Sequence, residues 1–216
     1  MIIGINGKIG SGKDTIGAII QKLCITNNCD QFENKKFAGK LKEIASILTG
    51  IPSIRFEDQD FKKTLLGSEW GTVKKNPLNA ITPFSDINFN NLMSVRELLQ
   101  KLGTEAMRDG LHTNVWVNAL FANYSNKNNW VITDMRFPNE LKAIEDKDGI
   151  TIRVVRPKPR EMFLMNSTTV IDTRIPEHPS EIALDDAKFD YEIINDGTLE
   201  ELVKKVSDIL INEDLL

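Results

Sequence analysis

Gly7-Lys8-Ile9-Gly10-Ser11-Gly12-Lys13 is the stretch of this 216-residue chain whose residue types and spacing bear most directly on chemistry. Glycines let the backbone curl so that several N–H groups point at one anion. A helix opening at Lys13 adds the positive end of its dipole, and the lysine adds a mobile point charge. The spacing Gly-x-x-x-x-Gly-Lys is that of a phosphate cradle, suited to a nucleoside triphosphate. One residue departs from the usual pattern. A Ser or Thr hydroxyl directly after the lysine ordinarily binds Mg²⁺. Here Asp14 follows, and Thr15 comes one place later. The expected phosphate-binding set is Gly10, Ser11, Gly12, Lys13, Asp14 and Thr15, with Thr15 as a candidate metal ligand.

A second concentration of chemistry is Asp134-Met135-Arg136-Phe137-Pro138-Asn139-Glu140, which follows an apolar run. Parallel sheets bind ligands at the carboxyl ends of their strands. A carboxylate there can order Mg²⁺ through water or accept a sugar hydroxyl. Arg136 shares its side if the extended backbone continues, and an arginine can clamp phosphate bidentately. The competing reading is a surface salt bridge with Glu140. Asn195-Asp196-Gly197-Thr198 serves locally as a turn and helix cap, and a loop so placed can also lie against a purine base. The polar segment from Arg156 carries Lys158, Arg160 and Arg174. It is either a lid whose arginines close on a triphosphate or a plain surface loop. Taken alone, Arg96 and Lys42 read as solvated helix charges and Trp116 as a core residue, with phosphate contact and base stacking as the alternatives.

These residues need a frame to hold them. Residues 1–5 are apolar in succession, as in a strand buried on both faces. Ile16, Ile19, Ile20 and Leu23 fall at helical spacing over residues 13 to about 24. Residues 35–38 read as a weak strand end and residues 41–48 as a helix stopped by Gly50 and Pro52. Ser94 with Glu97 makes a capping box ahead of the stripe Val95, Leu98, Leu99 and Leu102. A helix is expected over 113–124, a strand over 130–133 ended by Asp134, and a helix from Pro138 stopped at Gly149. Strands follow at 150–155 and 191–194, then a final helix with Leu199, Leu202, Val203, Val206, Ile209 and Leu210 on one face. Strands alternating with helices predict an α/β fold, a parallel sheet flanked by helices in three layers. One domain over 1–216 is expected, with a substrate-covering insertion at 54–91 and a lid at 157–188.

Composition narrows the partners. Hydrophobic residues make up 41% and charged residues 27%, ordinary values for a globular chain. A formal net charge of −4 implies no strongly basic surface, so nucleic acid is not an expected partner. The two cysteines, Cys24 and Cys29, have neither His112 nor His178 nearby in sequence, so free thiols are expected rather than a zinc site. No signal peptide and no membrane-crossing run is expected, which points to the cytoplasm.

In order along the chain stand Gly10-Ser11-Gly12-Lys13-Asp14-Thr15, Ala38-Gly39 with Lys42, Val95-Arg96-Glu97-Leu98-Leu99-Gln100, Leu102-Gly103-Thr104, and Trp116-Val117. They are followed by Asp134, Arg136 and Glu140, Val154-Val155-Arg156-Pro157, and Asn195-Asp196-Gly197-Thr198-Leu199-Glu200-Glu201-Leu202. The Gly-Lys-x-Thr loop looks like those of nucleoside monophosphate kinases, and the ordered set resembles the deoxynucleoside monophosphate kinases of tailed bacteriophages. The resemblance covers nearly the whole chain except residues 54–91. It implies the P-loop nucleoside monophosphate kinase-like fold and transfer of a phosphoryl group from ATP, with Mg²⁺, to a deoxynucleoside monophosphate in a host cytoplasm. By the same resemblance, Lys13 and the loop hold ATP phosphates, with Asn195, Asp196 and Gly197 beside ATP. Arg96, Trp116, Asp134, Arg136 and Glu140 line the monophosphate site, with Gly39 and Lys42 near it. Lys13, Arg96, Asp134 and Arg136 form the implied catalytic set, Asp134 also serving Mg²⁺ through water. Arg160 and Arg174 are the implied lid arginines, and His178-Pro179-Ser180-Glu181 stands at the lid's far side without an assigned role. A homodimer is compatible with the sequence. The alternatives are a dephospho-coenzyme A or phosphomevalonate kinase type of the same fold, and a slow nucleotide-hydrolysing switch.

Overall fold

The computed structural model describes residues 1–71, 92–157 and 182–216. In chain order its main elements are β1 (Ile2–Gly7), α1 (Lys13–Thr26), β2 (Glu33–Lys35), α2 (Ala38–Thr49), α3 (Val95–Gln100), α4 (Val115–Phe121), β3 (Trp130–Met135), α5 (Pro138–Glu145), β4 (Ile150–Val155), β5 (Tyr191–Ile194) and α6 (Leu199–Asn212). The chain divides into two compact units, one made of residues 1–37 and 120–216, the other of residues 38–119.

The first unit is built on a five-stranded sheet in the order β2-β3-β1-β4-β5. Every pairing is parallel, with Ile3 of β1 opposite Val131 of β3 on one side and Ile150 of β4 on the other. A central strand covered on both faces must be apolar along its length, and Ile2, Ile3 and Ile5 are buried. Ile3 and Ile5 join Ile16 and Ile20 of α1 and Val206 and Leu210 of α6 in the main core. On the opposite face α5 comes so close that a Cβ at Gly4 would lie 2.5 Å from Ile144 Cδ1. Helices therefore cover both faces, giving the expected three layers. No helix among the described residues is long and apolar enough to cross a membrane.

The second unit gathers Ala45, Phe56, Leu66, Val95 and Leu98 into its own core. Short 3₁₀ turns at Ser53–Glu57, Phe61–Lys63 and Ser68–Trp70 occupy the described part of the segment expected to be irregular. The Ser94–Glu97 capping box is present at the start of α3.

Several boundaries differ from the sequence reading. The strand expected at 35–38 is β2, earlier in the chain, and α2 opens at Ala38. β3 runs through Met135, so Asp134 lies within the strand rather than after it. The helix opened by Ser94 does not stop near Leu102 but continues as a π-helix over Lys101–Asp109. The wider turn breaks the 3.6-residue apolar stripe, so periodicity cannot follow it. Arg160, Arg174, Lys158 and His178-Pro179-Ser180-Glu181 lie outside the described residues, as does most of the expected lid.

Candidate active site

β1 delivers the glycine-rich loop to the carboxyl end of the central strand, and α1 starts where the loop closes. The turn needs glycine: Gly10 has φ +79° and Gly12 has φ +103°, conformations that L side chains rarely adopt. Ser11 N–H donates to Lys8 O at 3.1 Å, tightening the loop. Lys13 is 8% exposed, and its Nζ donates to Gly7 O at 2.6 Å and Lys8 O at 2.9 Å. The ammonium is thus held along the loop's own backbone. Ser11 is buried, and its hydroxyl has no hydrogen-bond partner among the described residues. Buried hydroxyls are nearly always satisfied, so an orphan in such a loop fits a bound anion. Thr15 is exposed in the first turn of α1, where hydroxyl and backbone can meet a phosphate or its metal ion.

Two other strand ends reach the loop. Asn195, just past β5, donates from Nδ2 to Ser11 O at 2.8 Å. It packs so closely that a Cβ on Gly12 would lie 2.6 Å from that nitrogen. Asp196 accepts from Lys205 at 3.3 Å, and Gly197 precedes the Thr198–Glu201 capping box of α6. Arg156, just past β4, donates from Nη1 to Gly10 O at 3.4 Å. Arg156 was not among the expected site residues, although its place after an apolar strand is the signal that singled out Asp134.

Asp14 is engaged away from the loop. Its Oδ1 accepts from Thr133 Oγ1 at 2.7 Å and lies 3.3 Å from Lys36 Nζ. Burial pushes the Asp14 carboxyl up, but the Thr133 hydroxyl and the Lys36 and Lys13 ammonium groups outweigh it, leaving the carboxyl below its ordinary range. Next along β3, Asp134 Oδ1 accepts from the Phe37 backbone N–H at 2.8 Å. Glu140 is 3% exposed, and its Oε2 accepts from the N–H groups of Arg136 (2.8 Å) and Phe137 (3.2 Å). Glu140 thereby caps α5 and fixes the backbone that carries Arg136.

The remaining expected residues belong to the second unit. Lys42 pairs with Glu57 at 2.5 Å, and Arg96 donates to Gln59 at 3.3 Å, so both cations reach the same turn. Gly39 lies in the first turn of α2, with open space where a Cβ would stand. Trp116 is 5% exposed, and its Nε1 donates to Gly103 O at 2.9 Å. That places the indole in the core, the first of the two readings given for it.

A parallel sheet whose central strand feeds a Gly-Lys loop at a helix N-terminus defines a P-loop nucleotide-binding α/β protein. The deoxynucleotide monophosphate kinase family model matches residues 55–206, and the chain belongs to that family. The matched span begins beyond the phosphate loop, so loop and family match are separate signals. Among relatives, the deoxynucleoside-5′-monophosphate kinase of Escherichia phage T5 is 24% identical over 237 residues, spanning 90% of this chain and 89% of that protein. The deoxynucleotide monophosphate kinases of Escherichia phage RB69 and Enterobacteria phage T4 are 31% and 28% identical over 128 residues. Each of those matches covers 57% of this chain and 47% and 48% of the respective relative. The chain is a nucleotide kinase.

Proposed function

We propose that the chain transfers the γ-phosphoryl group of ATP to a deoxynucleoside 5′-monophosphate, giving ADP and the deoxynucleoside diphosphate. The observation that carries this reading is the loop with its buried Lys13 and orphan Ser11 hydroxyl, in a chain of this family. The acceptor is already an anionic phosphate oxygen, so no strong general base is required. Catalysis then rests on in-line positioning and neutralisation of charge.

In this reading the loop backbone, Ser11 and Lys13 hold the ATP phosphates, and Arg156 adds a second cation over Gly10. Asn195, Asp196 and Gly197 border the nucleotide from the end of β5. In the first unit Arg136 binds the monophosphate, Asp134 accepts from its sugar, and Glu140 keeps the Arg136 backbone in place. In the second unit Arg96, Lys42 and Gly39 are the candidate monophosphate-binding residues, and Trp116 supports them by packing. Mg²⁺ bound with ATP would supply charge neutralisation, and Thr15 and, through water, Asp134 would offer the hard oxygen donors it prefers. Arg160 and Arg174 act as lid cations.

Lys13→Ala tests the reading. It lowers transfer by about a thousandfold or more while leaving the fold intact, as removal of a main charge stabiliser does. Retained turnover in a coupled ADP-release assay would contradict it.

A further inference from the structure

The residue after the loop lysine is an aspartate in the one helical turn where an incoming polyphosphate makes a carboxylate costly. Its surroundings say how the fold tolerates it. Asp14 and Gly17 are three apart and share a face of α1. Both meet Thr133, which is 1% exposed on β3. The Thr133 hydroxyl donates to Asp14 Oδ1 at 2.7 Å, and its Cγ2 packs where a Cβ on Gly17 would come within 2.7 Å. One threonine thus fixes the first turn of α1 by a hydrogen bond and the next by close contact. Lys36 supplies the counter-charge at 3.3 Å.

We infer that Asp14 is a positioning residue: held by Thr133 and Lys36, it locks the first turn of α1 against β3 and so sets the place of Lys13 and Thr15. This rests on the phosphoryl-transfer reading above. The tether spans 119 residues of sequence, whereas an acid serving only the helix dipole needs no such partner. The oxygen that Thr133 and Lys36 hold, Oδ1, is turned to β3.

The test uses Asp14→Ala, Thr133→Val, their double variant and Asp14→Asn in the intact chain, with ATP and the best monophosphate acceptor. Positioning predicts that either single loss lowers kcat about tenfold, with KM for ATP within about twofold. The double variant is no worse than the poorer single, and Asp14→Asn, which keeps an acceptor oxygen for Thr133, regains most of the rate. Hydrogen exchange at the Ile16 and Gly17 amides speeds up in Thr133→Val, whether or not transfer is measured. Unchanged exchange there, a kcat within about twofold of the parent in Asp14→Ala, additive losses, or an Asp14→Asn defect reversed by raised Mg²⁺ would each overturn the inference. A parent chain that phosphorylates no monophosphate would instead count against the proposed function, and the exchange result would still decide the Asp14 tether.

Discussion

Lys13 opens α1 and Arg156 follows β4, and the two are held at the phosphate loop to different degrees. Lys13 is buried and bonded to two loop carbonyls, while Arg156 is exposed and, among the described residues, makes one long bond to Gly10 O at 3.4 Å. A guanidinium loosely held by a neutral carbonyl gains more from a phosphate, its stronger acceptor. Arg156→Ala is therefore expected to raise KM for ATP about tenfold with a smaller effect on kcat, as initial rates at varied ATP will show. Arg136 belongs to the other substrate. Arg136→Ala should raise KM for the monophosphate well above any change in ATP affinity, and a matched pair of saturation curves separates the two. At this scale the sequence was legible wherever type and spacing carry meaning, as in the glycines, Lys13 and the pairing of Ser94 with Glu97. Contacts between distant residues, such as Asp14 with Thr133 or Asn195 with Ser11 O, have no local trace, because only the sheet order brings those segments together.

The segment from Ser94 to Asp109 shows which element boundaries a sequence can and cannot reveal. Ser94 Oγ accepts from Glu97 N–H at 3.2 Å, and the Glu97 carboxylate accepts from Ser94 N–H at 2.7 Å. Such a start is written in residue types, and Ser94→Ala should cost about 1 kcal/mol in chemical denaturation. The Ser94 backbone N–H and then its hydroxyl hold the Glu97 carboxyl below the usual glutamate range. A depressed folded-state value means that the stabilisation is present above the unfolded value and is lost as pH falls through the folded one. The Tm gap between the parent and Glu97→Ala should therefore hold at neutral pH and begin to close at about pH 4. The π-helix over Lys101–Asp109 has no such signature. It arises where Gly103 lies against Leu41, with a Cβ there 2.9 Å from Cδ2, and where Gly103 O receives the Trp116 indole. Both partners come from other elements, so this change of winding is a tertiary effect that local propensity cannot forecast.

Across the whole molecule, the parallel sheet follows from strands that are mostly apolar in succession and separated by helices, and all five strands were readable, with β2 starting earlier and β3 running on further than expected. The β2 strand is short and polar, Glu-Asn-Lys, and pairs with β3 by its backbone ladder, with Lys35 Nζ 5.3 Å from the centroid of the Trp130 ring. The division into two units was not readable, since the second unit builds its core from α2, α3 and short 3₁₀ turns whose apolar residues lack a long period. Family membership and the phosphate loop concern different stretches of the chain, and together they make the account narrow enough to fail. The most direct test is ATP-dependent phosphorylation by the purified chain across the common deoxynucleoside and nucleoside monophosphates, with ADP and the diphosphate quantified together. The account predicts equal yields of ADP and a deoxynucleoside diphosphate with at least one deoxynucleoside monophosphate, abolished by Lys13→Ala. ADP release without any diphosphate product, or transfer that survives Lys13→Ala, would contradict it.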